Sequence, residues 1–62
     1  MTEAIKENLE KSLDELVYAK NHLNSARETA VKKHVKEEIS DVLEKVETSI
    51  ESAQNSIDDF KV

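Results

Sequence analysis

Apolar residues in the first half of the chain recur at Ile5, Leu9, Leu13, Leu16, Leu23, Ala26 and Ala30, with Ala19 filling the gap between Leu16 and Leu23. Steps of three, four or seven place these positions on one face of a helix. A second series, Val35, Ile39, Val42, Val46, Ile50, Ala53, Ile57 and Phe60, obeys the same rule. Two amphipathic helices are therefore predicted.

The two series are out of phase, because extending the first beyond Ala30 would bring Lys33, Glu37 and Ser40 onto the apolar face. A turn at this point makes an all-α chain, an antiparallel helical hairpin with helices over about 2–31 and 35–61 and a turn over about 31–35. The alternatives are one continuous coiled-coil helix of about 90 Å with a stutter in its repeat, or three helices with a further break near Asn21 to Ser25.

Folding the chain about residues 32 and 33 matches Ile5 with Phe60, Leu9 with Ile57, Leu16 with Ile50, Ala19 with Val46, Leu23 with Val42, and Ala26 with Ile39. Several of these pairs set a small side chain against a larger one, as interdigitating antiparallel helices require. Lys32 and Lys33 at the end of the first helix, with Glu37, Glu38 and Asp41 opening the second, would also complement the helix dipoles. Against the turn stand the i,i+4 pair Glu28 and Lys32 and the lack of a glycine for a helix C-cap. Ser25 and Glu28 match a capping box, but they lie inside the strongest stretch of the first series and are read as a chance match.

Composition sharpens this picture. The 62 residues contain no Gly, Pro or Cys, so hairpin turns with positive φ are hard to make and a sheet-based fold is disfavoured. The chain forms one domain over residues 1–62. A chain this small buries only about 60 % of the surface its unfolded form exposes, so something must supplement its core. Disulfides and thiolate zinc are excluded, which leaves oligomerisation.

The apolar stripe is also wider than one hairpin needs. Leu13, Val17 and Val31 flank the first seam and Leu43 the second. Together with Ile50 and Ile57 they are the expected oligomer interface, most simply a homodimer forming a four-helix bundle.

Charge is unevenly spread, with 14 acids against 9 bases overall and a net charge of −5. Residues 27–36 carry Arg27, Lys32, Lys33 and Lys36 against Glu28 alone, whereas residues 37–62 hold eight acids against Lys45 and Lys61. The hairpin would have a basic tip and an acidic second arm. Arg27, Lys32, Lys33 and Lys36 are thus candidate phosphate contacts. Solvation and dipole compensation explain them more simply, since the net charge opposes nucleic acid and no aromatic lies near the tip to stack on bases.

Catalytic and metal chemistry find little support. His22 and His34 lack the spacing of a zinc or di-iron motif, and the context of neither suits a phosphorelay. Serines and threonines are scattered along helical faces with no nucleophile elbow or phosphate loop. Lys20 and Arg27 stand where a regular heptad in line with Leu13 would put apolar residues, and they are expected at the seam's edge with their stems packed on neighbours. No apolar run approaches the roughly 20 residues that span a bilayer, and no signal-peptide core opens the sequence. The expectation is a soluble, cytoplasmic, non-enzymatic protein without metal or cofactor. It would act as a homo-oligomeric protein–protein interaction or structural module, a small regulator being one such role. The alternative is a nucleic-acid-associated regulator using Lys32, Lys33 and Lys36.

Overall fold

The computed structural model describes residues 2–59 and consists of two helices, α1 (Thr2–Thr29) and α2 (Lys33–Asp58). They pack side by side as an antiparallel hairpin. α1 runs unbroken through Asn21 to Ser25, so neither the three-helix arrangement nor the single long helix forms. Phe60 lies outside the described residues, and with it the expected partner of Ile5.

The link is shorter and earlier than expected. Only residues 30–32 lie between the helices, and Lys33 and His34 are already helical. Ala30 still donates its N–H to the Ala26 carbonyl at 2.9 Å, which completes the last turn of α1. Lys32, the N-cap of α2, is extended (φ −75°, ψ 132°), and its carbonyl accepts the Lys36 N–H at 3.1 Å. No residue among those described has positive φ. The reversal therefore needs no glycine, because a short extended stretch redirects the chain and the left-handed conformation of a glycine C-cap is never used.

This start to α2 corrects the dipole expectation. Its first turn holds Lys33, His34 and Lys36 with no acid, and Lys32 makes no side-chain cap. Cations at a helix N-terminus oppose the dipole. Lys33 is partly offset by Glu37 one turn on, 3.9 Å away in an exposed pair worth only a few tenths of a kcal/mol.

Between the helices lies a seam with a strict alternation of three and four. In α1 it runs through Leu9, Leu13, Leu16, Lys20 and Leu23, all half-buried. In α2 it runs through Ile39, Leu43, Val46, Ile50, Ala53 and Ile57. Among the described residues, Leu43 and Ile57 are the two buried ones, at 3% and 5% exposure. Val42, expected in the seam, is instead 45% exposed, and Leu43 takes its place. The reason is the repeat itself: Ile39, Leu43, Val46, Ile50 keeps the four-three-four alternation of a coiled-coil seam, whereas passing through Val42 requires two consecutive steps of four. Ile5 and Ala26 likewise lie outside the seam and are exposed.

The molecule is long and thin, measuring 47 × 14 × 12 Å. Its radius of gyration is 14.4 Å, against about 10.6 Å for a compact chain of this length.

Candidate functional site

A hairpin of two helices has two long sides, one on either flank of the seam, and here they differ in chemistry. In an antiparallel pair, seam-flanking columns of equal kind meet on the same side and repeat every seven residues. One side carries Glu10, Val17 and Asn24 from α1 with Ser40, Glu47 and Gln54 from α2. The other carries Ile5, Ser12, Ala19 and Ala26 from α1 with Val35, Val42, Ser49 and Ser56 from α2. The first side is polar and charged; the second has no charge at any of its eight positions.

Side-chain contacts identify the polar side directly. Arg27 reaches across the helices, its Nη1 donating to Ser40 Oγ at 3.3 Å and its Nη2 to Asn24 Oδ1 at 3.1 Å. Lys20 is half-buried and lines an open groove with Glu47, Glu51 and Gln54. Lys20 is thus the more enclosed of the two cations, while Arg27 is exposed and spends its guanidinium on the Asn24 amide and the Ser40 hydroxyl. A second open groove runs along Asp41, Glu44, Lys45 and Thr48 on the outer face of α2.

The uncharged side contains two of the large exposed apolar residues, Ile5 at 51% and Val42 at 45%. Among its serines, Ser49 donates its hydroxyl to the Lys45 carbonyl of its own helix at 3.0 Å. That hydroxyl already has a partner and can be covered without losing it.

The six residues expected to form the oligomer interface are dispersed. Leu43 and Ile57 are enclosed within the single hairpin, and Leu13 and Ile50 are half-buried in its seam. Val17 remains 42% exposed on the polar side, and Val31, at 91%, lies in the link rather than on a helix face. The column through Ile5, Ala19 and Val42 escaped notice in the sequence. Its signal was a repeat of seven residues without charge, legible only once the seam had been placed.

Arg27, Lys32, Lys33 and Lys36 do gather at one end of the hairpin, and all four are exposed. Two of them are engaged within the chain, Arg27 with Ser40 and Asn24 and Lys33 with Glu37. His22 lies on the outer surface of α1 with its ring against Tyr18, edge to face at 4.5 Å, while His34 falls in the first turn of α2. Among the described residues, no three His, Cys, Asp or Glu side chains are grouped so as to hold a metal ion, and no helix is long and apolar enough to cross a membrane. Compared with protein-family models, curated proteins and solved structures, the chain shows no match.

Proposed function

We propose that this chain is a small, acidic protein–protein interaction module that acts as a homo-oligomer, in a binding rather than a catalytic role. The observation that carries this reading is the surface left uncovered. The hairpin exposes 4967 Å², whereas a compact monomer of 7.0 kDa exposes about 4,000 Å². The excess of about 900 Å² is close to the roughly 800 Å² that each partner buries in a stable protein complex. With Leu43 and Ile57 the two most enclosed apolar residues among those described, and neither fully buried, a partner would supply the apolar cover that the hairpin lacks.

Sedimentation velocity over a wide concentration range, paired with urea unfolding at each concentration, tests the reading. Association and a midpoint that rises with concentration are expected. A monomer at every concentration, with a midpoint that does not move, would overturn it.

Phosphate binding by the basic tip is the second reading, supported by the clustering of four exposed cations at one end. Two of those cations already have partners within the chain, which weakens it. A salt titration of RNA and DNA binding decides: no binding at low salt removes this reading, and a steep salt dependence lost on replacing Lys32, Lys33 and Lys36 with Gln upholds it.

A further inference from the structure

We infer that the partner is a second copy of this chain, seated on the uncharged side of the hairpin and related to it by a two-fold axis that sets the two tips at opposite ends. The inference rests on the homo-oligomer reading and adds to it a face and an orientation.

The choice of face follows from charge. Each copy carries a net charge of −5, so self-association through most of the surface would oppose acid to acid. The polar side would set Glu47 against its own symmetry mate and cover Glu10 across from Asn24, and charges covered without a good partner are costly. The side bearing Ile5, Ala19 and Val42 has no charge in either column. A two-fold interface uses the same patch on both copies, so the patch must tolerate itself. This one does.

The steric pattern is also self-complementary. Along α2 the column reads valine, valine, serine, serine from the tip outward. Reversing one copy sets Val42 across from Ser49 and Val35 across from Ser56, while on α1 Ile5 comes across from Ala26. Each large side chain then faces a small one, which lets the helices approach closely. A two-fold axis running along the hairpin would fit by size as well, with Val42 across from Ala19, so sterics alone do not choose.

Charge at the ends makes the choice. The tip, residues 27–36, has four cations against one acid. At the open end, residues 3–10 have three acids against Lys6, and residues 51–59 have three acids and no base. Setting the tips at opposite ends places each basic tip beside the partner's acidic open end. Setting them together stacks tip on tip within the Debye length of about 8 Å at physiological salt, where like charges still repel.

Two matched substitutions and one distance test the proposal in the full chain. Val42 and Val17 are equally large and almost equally exposed, at 45% and 42%, but lie on opposite sides. Val42→Glu is expected to raise the dimer dissociation constant by about 100-fold or more, because it covers an unpaired charge, and Val17→Glu to change it by less than about threefold. Ser49→Glu, at an exposed helical position where glutamate favours the helix, must weaken the dimer as Val42→Glu does. It carries the test if Val42→Glu fails to fold.

The native chain has no cysteine, so a spin label on Val31→Cys reports the separation of the tips. In a hairpin 47 Å long, opposed tips lie roughly 40 Å apart, and adjacent tips less than about 20 Å. A dimer weakened by Val17→Glu but not by Val42→Glu or Ser49→Glu overturns the face, and a short label distance overturns the orientation. In both cases the homo-oligomer reading survives. A wild-type chain that stays monomeric removes that reading itself.

Discussion

The two helices contribute unequally to the one seam they share. α2 supplies both buried side chains, Leu43 and Ile57, and an uninterrupted apolar run from Ile39 to Ile57. In α1 the same seam is interrupted by Lys20 and, toward the tip, by Arg27, and none of its described residues is as enclosed as Leu43 or Ile57. The helix with the more acidic surface is thus also the one with the more complete apolar stripe. The more complete face of the shared seam belongs to α2, and α1 packs onto it through leucines separated by cations. A charge tally would rank the two helices in the opposite order, because charge on the outer faces says nothing about continuity along the seam.

This asymmetry can be broken first at its strongest point. Leu43→Ala should cost about 2–4 kcal/mol, the range for deleting a buried leucine side chain. Leu16→Ala in α1 should cost less, since Leu16 is only half-buried. Urea denaturation of both variants at one protein concentration makes the comparison, and an equal or larger loss from Leu16→Ala would contradict the assignment of the core to α2.

A smaller effect is expected at the link. Lys32 occupies the N-cap of α2 in an extended conformation with no side-chain cap. Lys32→Asp keeps that backbone geometry and adds an acceptor for the first-turn N–H groups, so a gain of about 1 kcal/mol is predicted. An unchanged unfolding midpoint would show that α2 does not begin where it is placed.

Lys20→Leu sharpens the contrast from the other side by completing the α1 seam. Its gain should be up to about 1 kcal/mol, because the lysine stem already covers part of the seam and only the end of the side chain is exchanged. If stability falls instead, the charged end of Lys20 beside Glu47 and Glu51 matters more than its stem. The smallest change is at Val31, which is 91% exposed in the link; Val31→Ser should stay within about 0.5 kcal/mol of the native chain by thermal denaturation.

Much of this architecture was legible in the amino-acid order. Apolar spacing identified both helices, and the phase change after Ala30 located the reversal to within a few residues. Absence of glycine counted against a turn there only because glycine C-caps are the familiar solution. The structure uses Lys32 in an extended conformation instead, a state open to any residue. The dipole rule misplaced the start of α2 for a related reason: a preference of a few tenths of a kcal/mol yields to the packing of the seam.

The candidate interface was less legible. Leu43 and Ile57 read as available to a partner because a stripe of apolar residues does not say which of them the chain's own second helix will cover. Val17 and Val31 read as one flank, yet one lies on the polar side of the hairpin and the other in the link.

By itself, the sequence determined the helical class, the two-helix division, the basic tip and the thinness of any core a single copy could build. Those properties follow from local periodicity and composition, which do not depend on how the helices meet. Tertiary structure decided that Leu43 rather than Val42 is buried, that Lys20 and Arg27 turn toward one side, and that the opposite side is left without charge. Neighbouring residues on a helix are only about 100° apart, so a wide apolar stripe contains several possible seams, and only the position of the second helix selects among them.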